Sequence, residues 1–314
     1  MKKYIIKRIL LLIPIIAMVM IISFFITRIM PGDPIRMMLG DFASEEQVLE
    51  AKIKLGYDKS LYQQFVIWLK NVFKGDLGVS LFLHKDVKEI MISRLEPTIL
   101  LAILGESIGI LIGIPLGIIA AINHKTKIDQ MTIGISLLGV SMPSFFLSLL
   151  LILFFGQKLM WFPIYGYQSF FDIGFSCFKY LVLPSIALGF MQSGIIARMT
   201  RSSMLEVLNE DYIRTARAKG ISEFFVIFFH ALKNAMIPIA TIIGFSMAVL
   251  LGGTWVIESI FNINGIGALA INSIINRDYP VMQACMIFSA FIYLFINLVV
   301  DLSYVLFNPR LRVK

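Results

Sequence analysis

Few side chains in this sequence have a type and spacing that could carry out covalent chemistry. The three histidines are His84, His124 and His230, and none has a second ligand or a catalytic base at a suggestive spacing. Cys177 and Cys285 lie far apart without a CxxC or Cys–His pattern, so neither a disulfide nor a metal site is expected. We therefore predict no catalytic and no metal-ligating residue in this chain.

Nucleotide binding is not expected either. The segment Gly265-Ile266-Gly267-Ala268-Leu269-Ala270 matches GxGxxA, but a dinucleotide site needs a preceding strand and a βαβ unit. Here the segment follows a long apolar run instead. The chain has no GxxxxGK[ST] loop, so it does not bind ATP through a P-loop. We predict that this chain binds no cofactor.

Acidic residues in or near apolar segments are the best candidates for a functional side chain, because ionisable groups are costly there. Glu106, Glu258 and Asp301 are of this kind. Glu106 lies about a third of the way across a segment long enough to span a bilayer. It could meet a cationic part of a substrate on a translocation path. A hydrogen bond to a neighbouring helix or to a partner subunit is the alternative, and we favour it.

The elements that position these residues are apolar segments. Apolar residues make up 58% of the chain and charged residues 15%, whereas a soluble domain carries about 25% charged residues. The mean hydropathy is +0.84. A helix needs roughly 20 apolar residues to cross the hydrocarbon core. Six segments qualify as predicted spans: about 9–30, 97–122, 130–156, 181–197, 236–261 and 281–306.

Proline affects some of these predicted spans. The fourth span is short and is interrupted by Pro184. All four prolines inside predicted spans are expected to be tolerated where neighbouring helices satisfy the freed carbonyl groups: Pro14, Pro115, Pro143 and Pro184. The first apolar run is too long for a signal-peptide core and has no small-residue cleavage site, so it is expected to be retained as a span.

The basic residues predict the orientation of the spans. With a cytoplasmic N-terminus, the inside segments hold fifteen Lys and Arg residues, against three in the two short outside loops. This positive-inside bias places both termini in the cytoplasm. The net charge of +8 is thus a signal of topology and does not indicate a nucleic-acid partner. Arg28, at the outer end of the first span, is expected to extend to the membrane interface.

Residues 31–96 are expected to form a folded extracytoplasmic insertion. Leu61, Phe65 and Leu69 form an apolar stripe at helical spacing, and Gly75-Asp76-Leu77-Gly78 supplies a turn. We expect a lid or scaffold packed on the ends of the spans, with direct substrate contact as the alternative.

The second predicted span carries a glycine stripe at every fourth position: Gly105, Gly109, Gly113 and Gly117. Glycines at this spacing line one face of a helix and let another helix approach closely. We therefore expect this span to be buried in a helical bundle.

The loop between spans four and five, 198–235, has the most informative pattern. Largely apolar residues recur there at every fourth position: Met204, Leu208, Tyr212 and Ala216. This spacing predicts a helix over 202–220, with Arg214, Arg217 and Lys219 on other faces.

Gly220 is well placed to end that helix in a left-handed conformation. A second short helix is expected near 222–232, before Pro238 opens span five. Two short helices at the membrane surface could lie on lipid or dock into a groove of a partner, and the spacing leaves both open.

The chain resembles the permease subunits of ABC importers in this loop. The segments Asp211-Tyr212-Ile213-Arg214-Thr215-Ala216-Arg217-Ala218-Lys219-Gly220 and His230-Ala231-Leu232-Lys233-Asn234-Ala235-Met236-Ile237-Pro238 are similar to their coupling loop. The similarity is strongest to the dipeptide, oligopeptide and nickel branch, and to the first of its two paired permeases. It continues over nearly the whole chain through short motifs in matching order: Pro31-Gly32-Asp33-Pro34, Gly75-Asp76-Leu77-Gly78-Val79-Ser80, Gly139-Val140-Ser141-Met142-Pro143, 198–204, Gly265-Ile266-Gly267, Arg277-Asp278-Tyr279-Pro280, Asp301 and Asn308-Pro309-Arg310.

The sequence departs from the wider importer pattern at a few positions. Arg214-Thr215-Ala216 takes the place of the EAA motif, and Lys233 stands where proline follows in the wider pattern. The shifted Pro238 resembles the peptide and nickel branch. Asn264 stands where that branch often has proline.

The resemblance implies an all-α integral membrane protein with the type I ABC importer permease fold and six transmembrane helices. The expected divisions are a first span (1–30), the extracytoplasmic insertion (31–96), a permease core (97–306) and a cytoplasmic tail (307–314). The resemblance also implies that 198–235 docks on a separate ATPase subunit, through these residues: Tyr212, Arg214, Thr215, Ala216, Arg217, Ala218, Lys219 and Gly220. We expect an apolar face of the helix to enter the ATPase groove, with basic residues on the rim.

The implied partners are a homologous second permease, two ATPase subunits that hold ATP and magnesium, and an extracytoplasmic substrate-binding protein. The expected substrate is a di- or oligopeptide, with nickel or a metal chelate as the alternative. A secondary transporter acting alone usually shows an internal repeat, and the two halves of this chain show none. A membrane scaffold would have no need of an ATPase-docking helix.

Overall fold

The computed structural model describes residues 2–29, 33–40 and 43–307. Within these ranges the chain is α-helical, and the one β-bridge outside helices joins Val79 to Asp86. Five helices are long and apolar enough to cross a membrane, and a sharply bent pair of helices makes a sixth span. The prediction of an all-α protein with six spans is therefore confirmed. The motif Asn308-Pro309-Arg310 and most of the predicted tail lie outside the described residues.

The helices are numbered in chain order. They are α1 (Lys2–Ile29), α2 (Pro34–Leu39), α3 (Glu45–Lys54), α4 (Leu61–Phe73), α5 (Val87–Ile122), α6 (Lys127–Ser141), α7 (Ser144–Leu151), α8 (Phe170–Ile173), α9 (Phe178–Leu208), α10 (Asp211–Ala218), α11 (Glu223–Phe225), α12 (Leu232–Leu251), α13 (Trp255–Ile260), α14 (Ile266–Ile275) and α15 (Tyr279–Phe307). Two π-helical segments, Ile152–Lys158 and Val226–Ala231, follow α7 and α11. A 3₁₀ turn, Gly174–Cys177, precedes α9. The first and sixth spans match the predicted segments closely, whereas the second begins ten residues early, at Val87.

The third span is bent rather than straight. The segment 130–156 was expected to cross as one helix, but α6 ends at Ser141 and α7 begins at Ser144, and the two halves meet at 94°. Pro143 lies between them. Proline has no amide hydrogen and disfavours helical geometry in the residue before it, so the helix ends there. The expectation that Pro143 is tolerated inside a straight span is wrong.

The fourth span is longer than the apolar run that predicted it. The segment 181–197 is too short at both ends, because α9 runs without a break through Pro184. Leu181 and Leu183, which precede this proline, and Ala187, which follows it, are buried in a core cluster shared with α5 and α12. Neighbouring helices therefore hold α9 in helical geometry across the proline.

The fifth span is displaced from its predicted position of 236–261. The continuous helical segment is Glu223–Leu251, and Pro238 lies inside it rather than at its start. A separate helix, α13, carries Glu258, which consequently lies outside the span. The separate short helix expected near 222–232 is instead the beginning of this long segment.

The glycine stripe packs against α9, which confirms the predicted close contact. A Cβ atom on Gly113 would lie 2.8 Å from the Cβ of Ile196, and one on Gly117 would lie 2.5 Å from the Cβ of Thr200. Helix α9 contributes Gly189 to the same contact, where a Cβ would lie 2.6 Å from a side chain of α5. Any larger residue would force the two helices apart, so α5 and α9 form the central pair of the bundle.

The two termini of the described chain point to the same end of the bundle. Thr27, near the end of α1, accepts a hydrogen bond from Gln283, near the start of α15, so these helices run antiparallel. Leu11 and Asp301 line one cleft together with Thr241 of α12. The start of α1, the first half of α12 and the end of α15 therefore share one end, which also carries α10 and is called the α10 end below. Its cytoplasmic location remains a prediction from the charges.

The opposite end of the bundle is covered by the insertion and is called the insertion end. Helix α4 forms where the apolar stripe predicted it, and its Phe65 and Trp68 rings lie 5.2 and 5.4 Å from the ring of Phe24 in α1. The expected packing of a folded insertion on the span ends is confirmed by these contacts.

Arg28, which can reach the membrane interface from the outer end of the first span, contacts the insertion. Its guanidinium lies 4.8 Å from the ring centre of Phe24 and 4.7 Å from that of Tyr57, and it donates to Gln64 at 3.1 Å. Tyr279 of α15 is a third ring, at 5.9 Å. Through these cation–π contacts, Arg28 connects α1 to the insertion and to the last span.

Candidate functional site

The predicted helix over 202–220 is broken into two. Helix α9 ends at Leu208, and α10 begins at Asp211. Asn209 donates from its side-chain amide to the carbonyl of Leu205 at 2.8 Å, and Glu210 has an extended backbone. Asparagine competes in this way with helical hydrogen bonds, which is why it favours helix ends. Of the four regularly spaced apolar residues, Met204 and Leu208 therefore belong to the last turns of α9, and Tyr212 and Ala216 belong to α10.

The predicted end of α10 at Gly220 is confirmed. Gly220 has φ of +77°. Its amide donates to the carbonyl of Arg217 at 2.9 Å, and the amide of Ile221 donates to Ala216 at 3.4 Å. This pair of bonds is a Schellman motif, which glycine favours because it has no Cβ to clash in the left-handed region.

The apolar face of α10 points into the protein and not outward as expected. Ile213 is fully buried and Ala216 is 7% exposed. They pack in an apolar cluster at the α10 end with Ile118 of α5, Met204 of α9 and residues of α12, and we call this cluster the α10 base. The prediction that Ala216 enters a groove of a partner is wrong, because the bundle itself covers that face.

The exposed face of α10 is polar and basic. The exposed side chains of the predicted site are Tyr212, Arg214, Thr215, Arg217, Ala218 and Lys219. Arg217 Nε lies 2.8 Å from Glu223 Oε1, and Arg214 Nη1 lies 3.4 Å from Asp211 Oδ1. Both pairs are open to solvent, and exposed pairs of this kind contribute little to stability.

Tyr212 connects α10 to α12. Its hydroxyl accepts a hydrogen bond of 2.8 Å from Asn234. Partial burial raises the pKa of Tyr212, although the bond from Asn234 opposes this change, so the phenol remains protonated. This polar bond and the α10 base hold α10 against α12.

Glu106 is 4% exposed and lies between α5 and α12. Its Oε1 accepts a hydrogen bond of 2.7 Å from Ser246 of α12. Its Oε2 is buried and has no hydrogen-bond partner among the described residues. One oxygen thus makes the helix-to-helix contact that we favoured, and the other is left without a protein donor in the described part of the chain.

The segment that matches GxGxxA surrounds the carboxylate of Glu258. This carboxylate accepts hydrogen bonds from Thr98 at 3.1 Å and from the amide of Ala268 at 2.7 Å. The amide of Ile266 donates to Thr98 at 2.9 Å. Burial raises the pKa of Glu258 by more than the hydrogen bonds to its carboxylate lower it, so the net pKa lies above its usual value. The segment begins α14 and wraps a buried carboxylate, and no strand precedes it in the described chain.

Asp129 is a buried residue that the sequence analysis did not single out. Arg201 of α9 donates to both of its oxygens, from Nε at 2.7 Å and from Nη2 at 2.8 Å. The amide of Lys125 donates at 3.0 Å, and His124 Nδ1 lies at 3.3 Å. The pair is separated by 72 residues, so no local spacing signals it.

The described residues contain no group of three or more His, Cys, Asp or Glu side chains that could hold a metal ion. Cys177 and Cys285 are both free and buried.

Comparison with known families assigns the chain. Residues 113–313 match the family described as "Binding-protein-dependent transport system inner membrane component", and residues 1–102 match the N-terminal family of such membrane components. The chain belongs to this family. It is a transport permease of the bacterial inner membrane, and the resemblance seen in its motifs is confirmed.

Two full-length relatives illustrate the similarity. A protein of Brucella abortus (strain 2308), named as a peptide transport system permease, is 41% identical over 312 residues, which are 99% of each chain. The glutathione transport system permease protein GsiC of Escherichia coli (strain K12) is 39% identical over 314 residues, which are 100% of each chain.

Two solved structures share the fold of this permease. The MetNI methionine ABC transporter, solved in inward-facing conformations, matches with a TM-score of 0.57 and 16% identity over 70% of this chain and 96% of that chain. An amino acid ABC transporter solved with histidines matches with a TM-score of 0.51 and 16% identity over 68% and 92%. At this identity the likeness concerns the fold alone, and it confirms the ABC importer permease fold.

Proposed function

We propose that this permease takes up di- or oligopeptides as a subunit of an ATP-driven importer. The full-length similarity to permeases named for peptide and glutathione transport supports a peptide substrate. Neither of these relatives is named for a metal, so a peptide is favoured over nickel or a chelate. The chain would act with a second permease, two ATPase subunits and an extracytoplasmic binding protein.

The exposed polar face of α10 is proposed to dock on the ATPase. The observation that carries this proposal is the division of α10 into a buried apolar face and an exposed basic face. Arg214, Arg217 and Lys219 would orient the contact, since rim charges affect orientation and association rate more than affinity. Ala216 and Gly220 would act from within, as packing and as the helix end.

The chemistry of ATP is proposed to reside wholly in the partners. The sequence has no P-loop, and the described residues hold no metal-binding cluster. ATP and magnesium would bind to the ATPase subunits, and this chain would transmit their closure to its spans. The excess of basic residues supports a cytoplasmic location for the α10 end, where an ATPase would meet it.

Transport by the whole complex tests the substrate. The permease is purified with its second permease, ATPase and binding protein, and is reconstituted in liposomes. We expect ATP-dependent uptake of radiolabelled trialanine or glutathione, and no competition by Ni²⁺. Uptake of ⁶³Ni²⁺ without uptake of either peptide would overturn the peptide proposal, and ATP-independent uptake would indicate a transporter acting alone.

A charge reversal tests the docking face. Arg217→Glu should weaken co-purification of the ATPase about tenfold, because it places a negative charge on the basic face. Glu223→Gln is the matched control, since it breaks the same ion pair but leaves Arg217 positive. Equal co-purification with Arg217→Glu and wild type contradicts the proposed face. Gly220→Pro should uncouple transport from ATP, because it removes the amide that donates to Arg217.

Glu106 is a second candidate, for the translocation path. The oxygen without a described partner supports this role, whereas the bond to Ser246 supports a role in packing. Glu106→Gln keeps the shape and a bond to Ser246 but removes the charge. A fall in uptake of a cationic peptide such as trilysine, with uptake of trialanine retained, supports the path. Unchanged uptake of both peptides leaves Glu106 as a packing residue.

A further inference from the structure

A partly buried ion pair joins the third span to the fourth close to α10. Asp129 lies in the first turn of α6, with its side chain 4% exposed, and Arg201 lies in the last turns of α9. Both carboxylate oxygens accept from the guanidinium, at 2.7 and 2.8 Å. The two parallel bonds fix the direction as well as the distance between the two helices.

This pair lies next to the α10 base. Arg201 is one helical turn before Met204, which is fully buried in the α10 base with Ile213 of α10. Within a single turn, α9 therefore contributes one side chain to the apolar cluster that seats α10 and another to the ion pair with α6. A displacement of α10 that moves the end of α9 must also pull on α6 or break the ion pair.

Breaking the pair is costly, because it would leave a charged group buried without its partner. The remaining contacts of Asp129, with the amide of Lys125 and with His124, belong to the α5–α6 turn and move with α6. The α9-to-α6 connection at this point therefore behaves as a rigid link, unlike the apolar contacts around it.

We propose that Asp129 and Arg201 are positioning residues that carry the movement of α10 into the bent third span. The proposal rests on the proposed function, in which α10 is the element moved by the ATPase. In this proposal, neither Asp129 nor Arg201 contacts the ATPase or the substrate. Their role is to make α6 and α7 follow α9.

A double-mutant cycle in the reconstituted complex tests the link. Asp129→Asn and Arg201→Gln are each expected to lower the amount of trialanine transported per ATP hydrolysed about tenfold. ATPase co-purification should stay at the wild-type level. The double variant should be no worse than either single variant, because both remove the same link. Additive losses, or an unchanged ratio in both single variants, would overturn the proposal.

Two further measurements keep the test decisive. Arg201→Lys retains the charge but loses the two-bond geometry, so it should fold and still lower the ratio. Glu45→Gln, which removes an exposed partner of Arg36 far from α10, is the matched control and should leave the ratio unchanged.

Hydrogen exchange of the α6 amides provides a readout that does not need a known substrate. ATP should change their protection in the wild-type complex and not in Asp129→Asn. The same ATP response in both proteins refutes the link. If the wild type shows this response but transports neither trialanine nor glutathione, the peptide substrate is wrong and the link stands.

Discussion

Helix α10 and the turn of the insertion at 80–82 are held on the bundle by different kinds of contact. At the α10 end, α10 is seated by the α10 base, an apolar cluster without a titratable side chain, and its polar face is left exposed. At the insertion end, Asp278 is 3% exposed and accepts hydrogen bonds from the Ser80 hydroxyl and the amides of Leu81 and Phe82. Arg28 adds a cation held among three aromatic rings.

This difference indicates how each end can respond to force. Apolar contacts are not directional, so α10 can tilt on its base without losing its stabilisation at once. Hydrogen bonds to one carboxylate weaken steeply with angle, so the insertion is fixed in one position over the spans. Helix α10, which is proposed to meet a moving partner, is therefore held more adaptably on the bundle than the insertion is.

The largest expected effect is at the α10 base. Ile213→Asp should destabilise the protein by about 4 kcal/mol, because it buries a charge with no partner. Thr215→Asp, on the exposed face of the same helix, should cost less than about 0.5 kcal/mol. Thermal unfolding in detergent and proteolysis between α9 and α12 measure both. Equal unfolding temperatures for the two variants would show that α10 is not seated by its apolar face.

The next largest effect is expected at Asp278. Asp278→Ala leaves the buried Ser80 hydroxyl and two amides without an acceptor, which should cost about 3 kcal/mol. Asp278→Asn keeps one acceptor oxygen and should lose roughly half as much. Proteolysis within 74–86 should rise in the alanine variant, while cleavage at α10 should not. Matching sensitivity at both ends would contradict the separation of the two regions.

A smaller effect is expected at Arg28. Arg28→Ala should cost about 1–2 kcal/mol, because the cation–π contacts with the three rings are lost. Lys70→Ala, at an exposed position of α4, is the control and should be within about 0.5 kcal/mol of wild type. The unfolding temperature in detergent measures both. A larger loss from Lys70→Ala than from Arg28→Ala would remove the aromatic contact as a stabilising feature.

The smallest effect is a response of the insertion to acid. Burial raises the pKa of Asp33. The hydrogen bonds from Lys52 and from the amide of Ile35 together lower it by a larger amount, so the net pKa lies below its usual value. A lowered pKa in the folded state contributes stability above the ordinary pKa of about 3.8, and this stability is lost as the pH falls through the folded value. Protection of α2 and α3 from hydrogen exchange should therefore fall below about pH 4.

Asp33→Asn provides the control for that acid response. It should remove the pH dependence. Protection of the amides of the α10 base should not change over the same range, because the residues of that cluster have no titratable side chain. A parallel loss of protection at α10 would indicate general acid unfolding instead.

Features that depend on local chemistry were predictable from the sequence. The glycine stripe and the end of α10 at Gly220 follow from the absence of a Cβ atom, whichever fold surrounds them. Prolines show where this reasoning fails. Pro143 and Pro184 both interrupt apolar runs, yet one ends a helix and the other does not. The difference lies in neighbours such as Leu181, whose burial holds α9 in shape.

The candidate site was predicted in position but not in orientation. The motif from Tyr212 to Gly220 marked the correct helix, but spacing alone could not say which face of α10 is buried. Ala216 was expected to face a partner, and it faces the α10 base. Asp129 left no signal, because its partner is 72 residues away and a lone aspartate at the start of a helix is ordinary.

The sequence by itself determined that this chain is a six-span membrane permease with a short surface helix between its fourth and fifth spans. Apolar length, charge distribution and glycine placement encode these features, because they depend on the solvent and on local backbone preference. Only the tertiary structure decided which face of α10 is exposed and which distant charges meet, as Asp129 and Arg201 do. Those outcomes depend on how long helices pack side by side, and that packing brings together residues far apart in the chain.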